Sequence, residues 1–444
     1  MIEKAALQKI KVGLATLLIA FSPKANGQTT LSITLDEAIQ RALKNSKELQ
    51  IATIEEKIAG EQHKQTLSIY LPQVIASYSA LTTDNPLNAF GFKLQQQSIT
   101  ANDFNPLLLN HPSDSYNMVA MLEVKQPLLN IDMIYQRKAA DKQSLLYKYK
   151  AQRTQEYITF EVQKAFMQLQ FAYQAEKVIK EALATAQSVY DFTKNRYNQG
   201  LLQKSDLLNA QVQVTTLETK VAEATSAIQN ASDFLALFIG RTSNLTYTPI
   251  GEWEKVQNGG SRQLSDTRAD FMALSNAIEA SQMSVKSSQS SLLPHINAFA
   301  SYQYNNSNLK AFGSGAYLAG VQLSWSIFNG LQTRHQINER RFTTSKLQVQ
   351  LAQQKEQATF EVAKTQRGVN DSNVKIAQQK KAVEQSEESL RILRNRYEKG
   401  LVNTTDMLQS QSQLALQQLN LEQAILEHNI MQAYLHFLTV SSSN

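Results

Sequence analysis

The sequence predicts an α+β membrane protein with an internal two-fold repeat, in which long coiled-coil helices alternate with short strands. One pattern, Asn-Arg-Tyr-x-x-Gly-Leu-x-x-x-x-Asp-x-Leu, begins at Asn195 and again at Asn395, an offset of 200 residues. Long stretches lack glycine and proline, whereas shorter segments alternate apolar and polar residues. A shared offset over such a distance indicates a duplicated structural unit.

Composition excludes several classes of protein. The 444 residues include no cysteine, which rules out disulfides, zinc fingers and thiol chemistry. The formal net charge is +6, and residues 1–27 hold four lysines and one glutamate, which leaves +3 for the remainder. Because lysine and arginine are not clustered, this charge does not predict nucleic-acid binding.

The N-terminus has the pattern of a secretory signal peptide over residues 1–27. Lys4, Lys9 and Lys11 precede the apolar run Val12–Phe21, and Ala25–Gly27 has the small residues of a cleavage site. A buried N-terminal helix is the alternative. This run of ten residues is too short to span a bilayer, and no apolar run of 18 residues occurs elsewhere. Any crossing of a membrane must therefore use strands.

Two pairs of helices are predicted from the positions of helix-breaking residues. Ile131–Gln199 contains neither glycine nor proline, and Leu331–Lys399 contains only Gly368. Each stretch would extend about 100 Å as a helix, at about 1.5 Å per residue. Leu201–Ile239 and Leu401–Val440 follow and are also unbroken. Helices of this length are typical of coiled coils.

The first of the shorter helices carries a heptad seam. Apolar residues recur every seven positions in two series three residues apart: Leu207, Val214, Val221, Ile228 and Leu235, with Ala210, Leu217, Ala224, Ala231 and Phe238. In the second copy Ser410, Gln417 and His428 interrupt these series, which predicts a wetter environment or a different packing partner. Two further helices are expected over Leu35–Ser68 and Arg268–Leu292.

Four strands are predicted, and they fall in two pairs: Pro72–Leu81, Met118–Lys125, Pro294–Tyr304 and Tyr317–Ile327. The last strand has the clearest period of two, and its apolar side includes Tyr317, Val321, Leu323 and Trp325. Such alternation over about ten residues, with aromatic residues at the ends, is typical of a transmembrane barrel strand. The edge of a soluble β-sandwich is the alternative.

The lengths of the loops and the number of strands predict a barrel that several copies of the chain form together. The connection Thr82–Asn117 is long and Asn305–Ala316 is short, as on the extracellular face of a barrel. Four strands cannot enclose a channel, and open edges are costly in lipid. The chain is therefore expected to form a cyclic oligomer. Its expected organisation is a signal peptide over 1–27, a first repeat over 28–240, a connecting segment over 241–267 and a second repeat over 268–444.

In combination these features resemble the TolC-like outer-membrane efflux proteins, or outer membrane factors, over essentially the whole mature length. The matching segments are the opening helix, the helix-to-strand entries and the strand exits: Leu35–Leu43, Leu71–Gln73, Leu293–His295, Gln126–Leu128 and Trp325–Gly330. The resemblance implies a homotrimer with a 12-strand transmembrane barrel, continued by a 12-helix coiled-coil barrel in the periplasm. It also implies docking to a periplasmic adaptor protein and, through it, to an inner-membrane transporter, whose exported small molecules the duct conducts passively.

The resemblance also implies a gate at the periplasmic end. The family's aspartate pair falls on Asp406 and Gln409, so one ring of charge is missing. A gating tyrosine falls on Tyr397 and its acidic partner on Asp206, but the matching arginine position is Val402, so this latch is incomplete. A simpler interpretation stands beside each: an acid near a helix N-terminus complements the helix dipole, and a repeated tyrosine can be a packing residue of the hairpin.

The two hairpin turns are the expected docking points for the adaptor. Gly200 and Gly400 fit the left-handed residue that ends a helix. Leu201 and Leu401 follow them, and a leucine repeated at an exposed tip is not explained by turn geometry alone.

Enzymatic chemistry is not predicted. The sequence contains no phosphate loop, nucleophile elbow or dinucleotide fingerprint, and its six histidines lack metal-ligand spacing, so no cofactor or metal is expected. Two alternatives to efflux remain. The same duct could serve type I protein secretion, or the chain could be an extracellular coiled-coil filament protein, against which the alternating strand and the signal peptide argue.

Overall fold

The computed structural model describes residues 29–240, 245–255, 263–308 and 313–441. The predicted signal peptide lies outside this range. The chain forms two compact units, each assembled from separate segments. Among the described residues, the first unit lies within 29–46, 158–255 and 368–433, and the second within 47–157, 263–367 and 434–441. Each unit therefore draws on both predicted repeats.

The predicted helices are present, with small changes at their ends. In chain order the α-helices are α1 Leu35–Asn45, α2 Lys47–Gln65, α3 Pro86–Gln95, α4 Pro106–Asn110, α5 Ile131–Asn198, α6 Lys204–Ile239, α7 Ala269–Ser290, α8 Gln332–Glu398 and α9 Thr404–Thr439, of which α3 and α4 were not predicted. The two longest, α5 and α8, have 68 and 67 residues. Across the described part of the chain, no helix combines the length and apolar character needed to cross a membrane.

The prediction of a single helix over Leu35–Ser68 is wrong, because the helix is interrupted at Ser46. Thr34 caps the start of α1 by accepting a hydrogen bond from the Glu37 backbone N–H at 3.3 Å. Ser46 leaves the helical region with ψ at 122°, although its N–H still bonds to Ala42. The Asn45 side chain donates to the carbonyl oxygen of Ile239 at 2.7 Å. This contact joins the end of α1 to the end of α6 within the first unit.

The heptad seam of α6 is confirmed. None of its ten positions is exposed, and Val214 and Leu217 pack against Ala182 and Ala186 of α5. The expected wetter environment of the second copy is wrong at His428, which is completely buried. Its Nδ1 lies 2.8 Å from the Ser372 hydroxyl on α8, so a polar partner inside the helix pair accommodates the imidazole.

A four-stranded antiparallel sheet forms within the second unit. Its strands are β2 Gln73–Thr83, β3 Ser115–Leu129, β5 His295–Asn306 and β6 Ser314–Ser324, in the order β2-β3-β5-β6. All four predicted strands are therefore present. Phe299, which breaks the alternation of β5, pairs with Gly320 of β6, where a Cβ would lie 3.1 Å from the phenylalanine ring. The missing side chain makes room for the ring.

A second, two-stranded sheet in the first unit was not predicted. Its strands are β1 Thr29–Thr34 and β4 Leu245–Ile250, which pair in parallel. Ile33 and Tyr247 are completely buried and anchor the sheet to its unit. The hydroxyl of Ser232 on α6 accepts a hydrogen bond from the Tyr247 N–H at 2.8 Å. β4 thus places a strand inside the predicted connecting segment.

Two sequence expectations near the four-stranded sheet need correction. Trp325 and Ile327 lie beyond β6, which ends at Ser324, because the Trp325 indole turns to donate to the carbonyl oxygen of Leu292 at 2.9 Å. The connection between β2 and β3 is not an open loop. It folds into α3, a 3-10 turn over Ala101–Phe104 and α4.

Two arginines hold the C-terminal end of α9 in the second unit. Arg153 and Arg268 donate to the carbonyl oxygens of Phe437 and Leu438, each at 3.1 Å, which satisfies groups that a helix end leaves unpaired. Arg268 is 4% exposed and grips Asp270 with two hydrogen bonds of 2.6 and 2.7 Å. Burial would raise the pKa of Asp270, but the guanidinium of Arg268 outweighs it and the pKa is lowered.

We expect Asp270→Asn to lower the free energy of unfolding by about 3 kcal/mol, because it leaves a buried guanidinium without its counter-charge. The measurement is urea unfolding of the detergent-solubilised protein. Since the folded pKa lies below the ordinary value of 3.8, the contribution is complete above that pH and disappears as the pH falls through the folded value. The stability difference between wild type and variant should therefore shrink in acid.

Asp266→Asn is the matched control. Asp266 pairs with Lys355 at 2.7 Å but its side chain is 88% exposed, so its loss should leave stability almost unchanged. Equal effects of the two variants would contradict the role given to the Arg268–Asp270 pair.

Candidate functional site

The two hairpin tips of the first unit have the same backbone geometry. Gly200 and Gly400 have φ values of 74° and 76°, the left-handed conformation that the sequence predicts. The N–H of Gly200 donates to Tyr197, and that of Leu201 to Arg196; the second tip repeats both bonds 200 residues later. This pair of bonds is the Schellman motif that ends a helix. The motif explains the glycines completely.

The leucines that follow are not explained by the turn. Leu201 is 63% exposed and Leu401 is 66% exposed, so each tip presents a large apolar side chain to the surroundings. The tips differ in one respect. The Arg196 guanidinium lies beside Gly400, where a Cβ would approach it to 3.2 Å, whereas the space beside Gly200 is open.

Tyr397 lies in a buried cluster next to the tips. It is 4% exposed, and its ring packs 5.2 Å from that of Phe192. Its hydroxyl lies 2.7 Å from the Thr193 hydroxyl and 3.2 Å from that of Thr404. Both partners belong to the same chain, and Asp206 is not among its contacts in the described residues. The structure thus supports the interpretation of Tyr397 as a packing residue of the hairpin.

The two repeated aspartates differ in what their carboxylates bind. Asp206 accepts a hydrogen bond from the Gln203 backbone N–H at 3.2 Å and so caps the start of α6. At the start of α9 the cap is Asn403, whose side chain accepts from the Asp406 N–H at 2.7 Å. In the part of the chain that the structure describes, the Asp406 carboxylate is exposed and makes no hydrogen bond or ion pair. Gln409, three residues later, is exposed as well.

The four-stranded sheet has one apolar face and one mixed face, here called the polar face because the charged side chains of the strands lie on it. Alternation along each strand and the pairing register place one set of residues together on the first face: Val74, Ala76, Tyr78, Ala80, Met118, Ala120, Leu122, Val124, Ile296, Ala298, Ala300, Tyr302, Tyr304, Tyr317, Ala319, Val321 and Leu323. Tyr317, Val321 and Leu323 are 82, 67 and 61% exposed. A contiguous exposed apolar surface of this kind marks contact with a partner or a membrane.

The opposite face carries every charged side chain of the four strands. Glu123 and Lys125 lie there with their charged groups 3.2 Å apart. His295 is on the same face, and its Nε2 lies 3.0 Å from the Asp132 carboxylate. A pocket of about 860 Å³ opens over these residues. No function was predicted for these residues from the sequence. Glu123, Lys125 and His295 alternate with the apolar residues of their strands, and this alternation was a signal that could have found them.

One family of known proteins matches the chain through its sequence. The model of the family described as outer membrane efflux protein matches residues 38–241 and 261–439. The chain belongs to the outer membrane efflux protein family. It is therefore a channel of the outer membrane that extends into the periplasm and serves as an exit duct for efflux. Membership also confirms the resemblance stated from the sequence motifs.

Solved structures of outer-membrane channels share the fold of this efflux protein. The CusC channel is 17% identical, with a TM-score of 0.78 over 95% of this chain and 96% of CusC. Campylobacter jejuni CmeC is 14% identical, with a TM-score of 0.78 over 92 and 87%. Vibrio cholerae VceC is 19% identical, with a TM-score of 0.75 over 92 and 97%. No curated protein matches the efflux protein by sequence.

We expect Tyr397→Phe to destabilise the hairpin by about 1 kcal/mol, because it removes the buried hydroxyl that links Thr193 and Thr404. Amide hydrogen exchange should accelerate over residues 189–193 and 404–408. Tyr197→Phe is the matched control from the first repeat, since the structure gives the half-buried Tyr197 side chain no hydrogen bond among the described residues. Exchange that stays the same in both variants would contradict a packing role for the Tyr397 hydroxyl.

Proposed function

We propose that three copies of the chain form a passive exit duct, with twelve strands in one transmembrane barrel and the long helices in a periplasmic coiled-coil barrel. The observation that carries the proposal is a four-stranded sheet with one apolar face and two edges, β2 and β6, that pair on one side only. Unpaired backbone groups are not tolerated in lipid. The edges therefore require partners from other copies.

The directions of the strands suit cyclic closure. Three antiparallel pairings separate β2 from β6, so these edge strands run in opposite directions. The β6 edge of one copy can thus pair with the β2 edge of the next and continue the antiparallel pattern. Repetition around a three-fold axis closes the sheet without a free edge. Each predicted repeat, 28–240 and 268–444, supplies two of the four strands, and 241–267 connects them.

In the closed barrel, one face of the sheet contacts lipid and the other contacts water. The face with Tyr317, Val321 and Leu323 meets lipid, and the face with Glu123 and Lys125 lines a water-filled lumen. Trp325, just beyond the end of β6, lies where tryptophan is enriched, at the boundary between membrane and water.

The duct receives its cargo from other proteins. A periplasmic adaptor docks at the tips formed by Gly200, Leu201, Gly400 and Leu401, and links the duct to an inner-membrane transporter that supplies the energy. The exposed leucines support this docking, because large apolar side chains at an exposed tip suit contact with a partner. Small-molecule efflux is favoured over type I protein secretion because the matched family is one of efflux proteins. That family match does not favour an extracellular filament.

A ring of three Asp406 carboxylates narrows the periplasmic end of the tunnel. The proposal rests on the contrast between the repeats: the Asp206 carboxylate accepts a hydrogen bond from the Gln203 N–H, whereas in the second copy the bond runs from the Asp406 N–H to the Asn403 side chain and the Asp406 carboxylate is exposed. Gln409 occupies the position of the family's second aspartate, so no second charged ring forms. Tyr397 packs behind the ring of Asp406 carboxylates. Such a ring attracts cations.

The trimer is tested by the native mass of the mature protein, extracted from outer membranes in mild detergent. We expect three chains per particle. A monomeric particle, or a protein that stays in solution without detergent, would show that the strands do not close in lipid.

We expect Asp406→Asn to reduce the preference for cations, measured as the reversal potential of single channels in a planar bilayer under a salt gradient. The variant removes one negative charge per copy at the ring. Gln409→Asn is the control, because it leaves the charge unchanged three residues away. An unaltered reversal potential in Asp406→Asn would argue against the ring.

The double variant Gly400→Ala and Leu401→Asp should abolish efflux while trimers persist, measured by drug susceptibility and native mass. Alanine is strained at a φ of 76°, and aspartate removes the exposed apolar contact. Leu201→Asp alone tests whether the first tip takes part as well. Normal drug resistance in the double variant would count against docking at this tip.

A further inference from the structure

The connection between β2 and β3 folds into a lobe, residues 84–114, that contains α3 and α4. Lys93 and Asp103 form an ion pair at 2.5 Å, and the rings of Phe90 and Phe104 meet edge to face at 5.7 Å. The Lys93 ammonium, helped by Thr100, lowers the pKa of Asp103 to about 2. The Asp103 carboxylate therefore stays charged over the physiological pH range, and these two contacts hold the lobe together.

The lobe is attached to the polar face of the four-stranded sheet. At the end of α3, Gln96 donates to the Asn117 side chain at 3.1 Å, and Asn117 donates to Asn305 at 3.1 Å. The Ser314 hydroxyl donates to the carbonyl oxygen of Gln96 at 2.9 Å. Asn117, Asn305 and Ser314 share the strand parity of Glu123, so they lie on its face of the sheet. These bonds fix the end of α3 across β3, β5 and β6.

Helix geometry then decides what α3 presents to the surroundings. Ala89 and Gln96 are seven residues apart and share one side, at about 100° per residue. Ala89 is 3% exposed, so this side faces the protein. Leu87 and Leu94 are also seven apart and lie on the opposite side, where they are 80 and 54% exposed. The side of α3 away from the sheet is therefore apolar.

The rest of the lobe exposes further large apolar side chains. Phe104, Leu107 and Leu108 are 60, 75 and 49% exposed. With Leu87 and Leu94 they make five large exposed apolar side chains within one connection. Such a surface requires a cover. Lipid cannot cover these side chains, because the lobe lies on the face that lines the lumen in the closed barrel. The lobes of the two other copies can cover them.

We propose that the lobes of three copies meet at the three-fold axis through these five side chains and close the outer mouth of the duct. The inference rests on the proposed trimer. An apolar constriction excludes water and ions by dewetting, so the mouth opens only when the lobes separate. The ion pair and the hydrogen bonds to the sheet keep each lobe folded as a unit, so that separation moves whole lobes.

The first test is crosslinking between copies, which is simple because the chain has no cysteine of its own. We expect Leu94→Cys, treated with a short bifunctional maleimide in the native trimer, to give covalently linked chains. Tyr317→Cys is the control, since it is 82% exposed on the opposite face. Equivalent residues on the outside of the barrel are four strands apart, about 19 Å at about 4.8 Å per strand, beyond a short linker.

The second test is access to the lumen from outside the cell. Ser301→Cys places a thiol on the polar face, and a bulky maleimide that cannot cross the membrane reports its exposure. Adding Leu94→Asp and Leu107→Asp should speed labelling roughly tenfold, because charged side chains rehydrate an apolar constriction. Adding Asn88→Asp instead, which puts a charge at an exposed polar position of the same lobe, should leave the rate unchanged.

The native mass of the particle distinguishes failure of the lobe closure from failure of the trimer itself. Trimers whose Leu94→Cys chains do not crosslink, and whose labelling is unaffected by the aspartates, would overturn the lobe closure and leave the duct standing. Absence of trimers would overturn both. Crosslinked trimers with accelerated labelling support the closure.

Discussion

The open edges of β2 and β6 are the constraint on which the rest of the structure depends. Each edge strand pairs on one side only, and hydrocarbon offers no partner for the backbone groups on the other side. The apolar face of the sheet nevertheless requires lipid. Both demands are met only if copies of the chain complete one another's sheet. In the trimer proposed above, the polar face would line a water-filled lumen, and symmetry would turn a single residue such as Asp406 into a ring.

Duplication supplied the same local structure twice, and the surroundings then separated the copies. Both tips use one Schellman turn with glycine in the left-handed region. Yet Asp206 caps its helix, whereas Asn403 caps the other and leaves Asp406 exposed. Tyr397 is buried with two threonine hydroxyls, while Tyr197 is half-buried. The second copy thus has both a buried tyrosine that packs the hairpin and an exposed aspartate, whereas the first copy has neither.

Much of the candidate site could be predicted from residues alone, and the reasons for the failures are specific. The tip glycines, the exposed leucines and the strand residues Tyr317, Val321 and Leu323 follow from turn chemistry and from a period of two. The failures concern partners. Trp325 leaves the strand because its indole bonds to Leu292, and the Tyr397 hydroxyl has threonine partners, which favours the packing interpretation of this residue. None of these three partners, Leu292, Thr193 and Thr404, is adjacent in sequence to the residue that it binds.

The sequence by itself determined the duplicated plan, the long helices, the heptad seam, the left-handed turns and the four strands. These features depend on residue type at short spacing, which local periods of 3.6 and 2 record. Only the tertiary structure decided the parallel pairing of β1 with β4, the break at Ser46 and the placement of the lobe on the polar face. Those depend on contacts between residues far apart in the chain, where the hydrogen bonds and packing available at each site outweigh local propensity.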